Sequence, residues 1–260
     1  MIVRDTGDAW VLTAQHEHAR LSGDAARRFR PFFEGDPHFE DLVTAVYQHD
    51  LGWVRLDETP VWNDRASAPY SFIDYPLLPK LTHYRLGLDQ TEKLNPYAAL
   101  LCSMHYAAFV EGSTDEESSA FHRYETRRQE RIRKELGIPG AKELQKPFSL
   151  LKLCDRISLY VTLNEPGAGK AQEYPPYRTG FGQSEPFHPD GTGILAARWI
   201  SKSEIEMAPN PFEHTFRTSV RQKRVPKALA GEIGLAEAYR RTEETEQEVV
   251  FHGRTGEEEA

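Results

Sequence analysis

An abrupt change of sequence texture near residue 164 restricts the fold of this chain more than any other feature. From Gln15 to about Leu163 the apolar residues recur with the spacing of amphipathic helices. Between Glu165 and Gly193, eleven residues are Gly or Pro, which is too many for a helix and typical of a long functional loop. Beyond Gly193 the chain returns to shorter β-forming runs. The sequence therefore predicts a helical part, a loop and a β-containing part, in that order.

Capping residues and the period of the apolar residues indicate the individual elements. Residues 1–14 predict a small β-hairpin, because β-forming residues flank the turn-forming run Thr6-Gly7-Asp8. We predict helices over Asp41–Trp53, Asn95–Phe109, Glu117–Leu136, Phe148–Leu163 and Pro226–Arg241, and strands over Ile194–Ile200, Glu204–Met207, Thr215–Val225 and Glu246–His252. The expected fold class is mainly α: a helical bundle with a small N-terminal β-hairpin and a β-containing C-terminal segment packed on it.

The same boundaries divide the chain into four parts. We expect a helical domain with the hairpin over residues 1–164, a Gly/Pro-rich loop over 165–193, a β-containing subdomain over 194–252, and a disordered acidic tail over 253–260. A chain of 260 residues is long enough to fold without disulfides. Cys102 and Cys154 lie in apolar runs, so we expect both to be buried free thiols.

Charge and hydropathy exclude several classes of partner. The net charge of −8 argues against nucleic acid, which needs a clustered positive surface. No apolar run approaches the length of a membrane span, and the first residues, Met1 to Asp5, lack the apolar stretch of a signal peptide. We therefore expect a cytoplasmic protein that binds neither nucleic acid nor a membrane. The sequence leaves the oligomeric state open.

A carboxylate on an apolar helix face is the first sign of a buried polar site. Asp50 shares one face of the predicted helix with Val43, Val46 and Tyr47. An ionised carboxylate that is buried there needs a charged partner or a metal ion. The alternative is that Asp50 ends the helix in an exposed position, where Gly52 breaks the last turn.

Two later helices also carry a polar residue on an apolar face. Asp155 lies on an apolar stripe of its helix, and the alternative is an Asp155–Arg156 pair at the surface. His105 lies on another apolar helix, where a lone histidine is more often a core residue than a ligand. Imidazole and carboxylate together form the ligand mixture of Fe, Mn, Zn or Co, and not of thiolate-rich structural zinc. The sequence therefore predicts one or two divalent transition-metal ions in the protein core.

The order of the polar residues resembles a known superfamily. His18, then the adjacent pair His49-Asp50, and later Asp155 are similar to the defining residues of the HD superfamily of helical, metal-dependent phosphohydrolases. This resemblance implies an HD-like helical bundle in which these four residues bind the metal. His83 and His105 fall where dinuclear members carry additional ligands. Those members include cyclic-dinucleotide phosphodiesterases, whose Gly-Tyr-Pro signature is missing here, and di-iron oxygenases.

The whole chain also resembles a family of uncharacterised bacterial proteins over about residues 1–250. That likeness brings no established activity. It rests on four stretches and one dipeptide: Gln15-His16-Glu17-His18-Ala19 with Ser22-Gly23, His49-Asp50-Leu51-Gly52-Trp53, Pro96-Tyr97-Ala98-Ala99-Leu100-Leu101, and Cys154-Asp155-Arg156-Ile157-Ser158-Leu159.

These features lead to one expected function and two alternatives. We expect a metal-dependent hydrolase of a phosphate ester or a similar small anion, with Asp50 at the metal and Arg20, Arg27 or Arg156 neutralising substrate oxygens. The first alternative is a di-iron oxygenase that uses six ligands, His18, His49, Asp50, His83, His105 and Asp155. The second is a non-catalytic metal-binding module.

Overall fold

The helices lie mainly in the first two thirds of the chain. The computed structural model describes residues 1–253, so nearly all of the expected acidic tail lies outside the described residues. The helices are α1 (Gln15–Ala26), α2 (Phe39–Gln48), α3 (Leu77–Leu94), α4 (Pro96–Ala108), α5 (Glu116–Glu135), α6 (Lys142–Leu163), α7 (Lys227–Ile233) and α8 (Leu235–Arg241). Short 3₁₀ helices cover Arg27–Phe33, Leu51–Trp53, Pro175–Tyr177 and Glu185–Phe187. None of the described helices is long and apolar enough to cross a membrane.

Strands from both ends of the chain form one sheet. They are β1 (Ile2–Asp5), β2 (Ala9–Thr13), β5 (Ala196–Trp199), β6 (Glu204–Ala208), β7 (Phe216–Pro226) and β8 (Glu244–Phe251), in the order β1-β2-β7-β8-β6-β5. All neighbours are antiparallel except β6 and β8. A second, two-stranded sheet pairs β3 (Trp62–Asn63) with β4 (Ala68–Pro69). The predicted N-terminal hairpin is confirmed as β1 and β2.

The expectation of a mainly α, HD-like bundle is wrong. About half of the residues are helical, and the six-stranded mixed sheet makes this an α/β fold. Strand β2 joins the sheet through β7, with Ala9 opposite Pro226 and Leu12 opposite Lys223. This pairing connects positions more than two hundred residues apart, which local periodicity does not reveal. The hairpin is therefore part of the main sheet and not a separate element packed on a helical bundle.

Helix α1 lies between the other helices and the sheet. It packs against α2 and α6 and also contacts β7. Asp24 of α1 accepts hydrogen bonds from Tyr47 of α2 and Thr218 of β7, each at 2.6 Å. The Gly/Pro-rich segment joins the same core through Phe181 and Phe187, both fully buried. Helices α1–α6, strands β5–β8 and the loop segment therefore share one hydrophobic core. A second, smaller cluster joins β2 to α7 and α8.

Close backbone contacts fix the turn that follows α2. A Cβ atom on Gly87 of α3 would lie 2.4 Å from the backbone nitrogen of Gly52, so only glycine allows α3 to cross the turn at this distance. On the other side of α2, a Cβ atom on Gly23 would lie 2.3 Å from the Tyr47 ring. The end of α2, which carries His49 and Asp50, is thus held between α1 and α3.

Candidate metal centre

Four helices bring histidine and aspartate side chains to one point in the core. His18 comes from α1, His49 and Asp50 from the end of α2, His105 from α4 and Asp155 from α6. The first four are buried, and the Asp155 side chain is 14% exposed. The His49 ring lies edge-on to the ring of His18 at 5.0 Å and to that of His105 at 5.3 Å between centroids. Five of the six predicted ligands therefore meet.

His49 presents a buried nitrogen that has no hydrogen-bond partner. Its Nδ1 donates to the Val46 carbonyl at 2.7 Å, and its Nε2 makes no hydrogen bond. This Nε2 lies 3.6 Å from Asp50 Oδ2 and 3.5 Å from Asp155 Oδ1. In a tetrahedral site with metal–ligand bonds of about 2.1 Å, ligand atoms are about 3.4 Å apart. The two distances from His49 Nε2 are therefore close to those between neighbouring ligand atoms of a transition-metal ion.

Both ring nitrogens of His18 have hydrogen-bond partners. Its Nε2 lies 2.8 Å from Asp50 Oδ2, and its Nδ1 lies 2.7 Å from the Ser158 hydroxyl. Ser158 donates to the Asp155 carbonyl at 2.8 Å and is 2.7 Å from the Ser22 hydroxyl. Partners of this kind set the tautomer and the ring orientation of a metal-binding histidine.

The ligand atoms form two overlapping groups. One group contains His18, His49 and Asp155, and the other contains His49, Asp50 and His105. Within each group the candidate ligand atoms lie within 4.8 Å of one another. His49 belongs to both. These residues could hold a metal, and their N/O donor set is that of a transition-metal ion.

The carboxylates control the protonation of the buried histidines. Burial lowers the pKa of His49, but the neighbouring Asp50 and Asp155 outweigh it and raise this pKa to about 9. Burial also dominates at His105, where it lowers the pKa to about 4. The pKa values of Asp50 and Asp155 are lowered, because the nearby histidines outweigh the effect of burial. In the metal-free protein His105 is thus neutral, whereas His49 carries a proton that a metal must displace.

His83, the remaining predicted ligand, lies elsewhere. It is half-buried on α3 and lines a cavity of about 150 Å³ together with Leu51, Arg55 and Gln90. It belongs to neither of the two ligand groups. Cys102 and Cys154 are buried free thiols, as expected.

The three arginines that were predicted to neutralise substrate oxygens lie in different places and have different partners. Arg20 donates to the Ser219 carbonyl of β7, and Arg27 pairs with Glu40 at the surface. Arg156 follows Asp155 directly on α6 and donates to the Gly182 carbonyl in the Gly/Pro-rich segment. Of the three, Arg156 is the one beside a candidate metal ligand.

Sequence reasoning assigned no role in the site to several of its neighbours. Ser22 follows His18 by one helical turn, and Ser158 follows Asp155 by nearly one turn, so helical spacing alone could have indicated them. The Tyr106 hydroxyl lies 3.5 Å from Asp50 Oδ1, and its ring stacks on Tyr84 at 3.8 Å. Tyr106 follows His105 in a largely buried run, where no pattern separates a site residue from a core residue.

Comparison with protein families gives one match. Residues 1–227 match the family model described as "Protein of unknown function (DUF3891)". The searches of curated proteins and of solved structures returned no match. These comparisons confirm the resemblance to an uncharacterised family and lend no support to membership of the HD superfamily. The match covers most of the chain, which therefore belongs to the DUF3891 family.

Proposed function

We propose that this protein is a metal-dependent hydrolase that cleaves a phosphate ester or a similar small anionic molecule. The observation that carries the proposal is the buried, unpartnered Nε2 of His49 between the carboxylates of Asp50 and Asp155. A buried polar atom without a partner costs free energy, so an arrangement of this kind calls for a ligand. Nitrogen and oxygen donors at this spacing suit Fe, Mn, Co or Zn.

The side chains around the cluster have separable roles in this proposal. His18, His49 and Asp155 would hold one ion, and His49, Asp50 and His105 are placed to hold a second, with Asp50 also close to His18. When bound, such an ion acidifies a water molecule and polarises a phosphoryl oxygen. Arg156 carries a fixed positive charge next to Asp155 and neutralises substrate oxygens. The reaction consumes one water, breaks the ester P–O bond, and yields phosphate and an alcohol.

The HD likeness agrees with this activity but is not its foundation. It consists of the order of four residues, His18, His49, Asp50 and Asp155. An α/β fold with a six-stranded sheet departs from the helical bundle that the likeness implies. The proposal therefore rests on the geometry of the cluster.

A di-iron oxygenase is the second candidate. The specific observation in its favour is the overlapping group of His49, Asp50 and His105, which offers ligands for a second ion. The six-ligand set of such an enzyme would include His83, which belongs to neither ligand group in the structure. We therefore place hydrolysis first.

The test combines metal counting with turnover. The full-length protein is stripped with a chelator, reloaded separately with Mn²⁺, Fe²⁺, Co²⁺ or Zn²⁺, and assayed on a panel of phosphate esters. We expect hydrolysis that requires reloading. Asp50→Ala and His49→Ala should each lose the bound metal and roughly 100-fold or more in rate, because each removes a ligand. His16→Ala is the matched control, since His16 is exposed and only two residues from His18.

Each outcome separates the candidate functions. If Asp50→Ala and His49→Ala both kept the wild-type metal content, the proposed metal site would be contradicted, and the hydrolase proposal would fail with it. Iron with an absorbance that changes on reduction would favour the oxygenase. Stoichiometric metal without turnover of any ester would favour the non-catalytic metal-binding module.

A further inference from the structure

Two partly exposed cationic side chains flank Asp155 on α6. Lys152 and Arg156 are one helical turn apart, and Asp155 lies between them, so the three side chains share one side of the helix. Asp155 is also the most exposed member of the metal cluster, at 14% of its side chain. Tyr177 of the Gly/Pro-rich segment lies close enough to interact electrostatically with both Asp155 and Arg156. This is therefore the side on which the cluster is nearest to solvent.

Neither cation forms a salt bridge among residues 1–253, although the Glu111 carboxylate lies near enough to Lys152 to interact with it electrostatically. Their hydrogen-bond acceptors are neutral: the Gly182 carbonyl for Arg156, and the amide oxygen of Gln183 for both. By contrast, Arg128, the buried arginine of α5, is paired with three carboxylates, Asp89, Glu92 and Glu125. Like charges one turn apart on a helix repel each other, so an anion between Lys152 and Arg156 would relieve this repulsion.

Gln183 occupies the position that such an anion would take. Its Oε1 accepts from Lys152 Nζ at 2.6 Å and lies 3.5 Å from Arg156 Nη2. An amide oxygen placed between an ammonium and a guanidinium imitates one oxygen of a phosphate group, without the charge. The Gln183 side chain is exposed, so it can be displaced from solvent.

The backbone on both sides of Gln183 is anchored. Phe181 is buried in the core, and its carbonyl accepts a hydrogen bond from the buried Ser184 hydroxyl at 2.6 Å. Ser184 in turn accepts from the Leu195 amide at 2.8 Å. Gln183 has a φ of 62°, in the left-handed region that L-residues rarely adopt. The anchored backbone thus holds the Gln183 side chain against the two cations. The side chain can rotate away from them without movement of the backbone.

We propose that Lys152 and Arg156 form the binding site for the phosphate group of the substrate, and that the Gln183 amide oxygen fills this site until the substrate displaces it. This inference rests on the proposed function, because it names the substrate's anionic group and its contact residues. Lys152 and Arg156 act in binding and not as metal ligands. Their removal weakens phosphate binding and leaves the metal content unchanged.

The test is calorimetric titration of the as-purified, full-length protein with inorganic phosphate at low salt, with metal content measured on every sample. We expect Lys152→Ala and Arg156→Ala each to weaken phosphate binding about tenfold or more, because each removes a charge-assisted hydrogen bond. Lys146→Ala is the matched control: Lys146 is also exposed on α6, but its ammonium donates to the Phe32 carbonyl.

Gln183 is tested by two substitutions with opposite effects. Gln183→Ala removes the competing oxygen and should tighten phosphate binding. Gln183→Glu places a permanent carboxylate between the cations and should abolish phosphate binding while raising the melting temperature. Gln90→Glu, an exposed substitution of the same charge on α3, controls for the added negative charge.

Failure of this site and failure of the hydrolase are distinguishable. Unchanged phosphate affinity in Lys152→Ala and Arg156→Ala, with metal retained, would overturn the binding site and leave the metal centre standing. Equal phosphate affinity in wild type, Gln183→Ala and Gln183→Glu would overturn the role of Gln183. Loss of metal in the Lys152 or Arg156 variants would also overturn the assignment, since it would make these residues part of the metal centre.

Discussion

The ring of His49 is oriented so that only one of its nitrogens faces the cluster. Its Nδ1 is committed to the Val46 carbonyl, one turn back on the same helix, and its Nε2 faces Asp50 and Asp155. The adjacent residues His49 and Asp50 therefore contribute in different ways. His49 contributes a nitrogen whose direction its own helix sets, and Asp50 contributes a carboxylate that contacts His18 on another helix.

The pKa of His49 predicts how metal binding depends on pH. In the metal-free protein this pKa is raised from 6.5 to about 9, so the protonated ring stabilises the fold fully below pH 6.5, and that contribution is lost as the pH rises towards 9. A metal must displace the same proton. We expect the apparent metal affinity to rise about tenfold per pH unit between roughly pH 6.5 and 8.5.

Competition with a chromogenic chelator, corrected for the chelator's own protonation, measures this dependence. His105→Ala serves as a comparison, because the pKa of His105 is lowered to about 4 and this ring gives up no proton in that range. Its pH slope should match that of the wild type even if its affinity differs. A metal affinity that is flat across the range would contradict the protonated state assigned to His49.

His105 decides between one ion and two. It belongs with His49 and Asp50 to the second ligand group, whereas His18 and Asp155 belong to the first. A dinuclear site predicts that His105→Ala halves the metal content, whereas His18→Ala and Asp155→Ala lower it further. A mononuclear site predicts full metal in His105→Ala, with a loss of stability of roughly 1–3 kcal/mol at most.

Elemental analysis of the purified variants measures this count. His83→Ala belongs in the same series, since the structure places His83 in a separate cavity. We expect it to keep the wild-type metal content. A reduced count in His83→Ala would show that α3 contributes a ligand after all and would revive the six-ligand set.

At the scale of elements, the contact between α3 and the turn after α2 supports the site. A Cβ atom on Gly87 would lie 2.4 Å from the nitrogen and 2.6 Å from the Cα of Gly52, and backbone atoms cannot swing away as a side chain can. We expect Gly87→Ala to destabilise the protein by about 1–3 kcal/mol. It should also weaken metal binding, because the turn that must shift begins directly after Asp50.

Gly231→Ala is the matched control in urea unfolding. Gly231 is also helical, and a Cβ atom there would meet nothing within 4 Å. Better helix propensity should make that substitution neutral or stabilising by up to about 1 kcal/mol. Equal stability of the two variants would show that α3 and the turn separate readily.

For the whole molecule, the sheet joins the two ends of the chain. Strand β2 pairs with β7, and α1 packs on β7, so the parts before and after the Gly/Pro-rich segment share strands and core. We predict that a single proteolytic cut in the exposed stretch at 189–192 leaves two fragments that co-purify in native buffer. Size-exclusion chromatography followed by denaturing electrophoresis measures this.

The same cut provides its own control under denaturing conditions. In urea above the unfolding midpoint the two fragments should separate, since only noncovalent contacts hold them together. Separation in native buffer would contradict the shared sheet and would indicate an independent C-terminal domain. Fragments that remain together should also retain bound metal, because all five residues of the cluster precede the cut and stay on the N-terminal fragment.

Local patterns in the sequence were sufficient for several parts of this protein. The Asn95 side chain caps α4 as its position before Pro96 predicts, accepting from the Ala98 amide at 2.9 Å. The apolar stripe of α6 indicated that Asp155 faces inward, because a helix repeats every 3.6 residues and its faces can be read from spacing alone. The helix predicted over Asp41–Trp53 ends at Gln48, so the turn that follows it, and not the helical period, sets the position of Asp50. The hairpin of β1 and β2 follows from its turn residues in the same way.

Tertiary structure alone decided the rest. The sheet depends on pairing between β2 and β7, and such hydrogen bonds leave no periodic trace in either strand. His83 and His105 both precede Asp155 with helical neighbours, yet only His105 reaches the cluster, since the packing of α3 and α4 against α2 sets which side chain arrives there. Helix faces are a property of neighbouring residues and can be read from the sequence. The meeting of distant elements depends on how the whole chain packs.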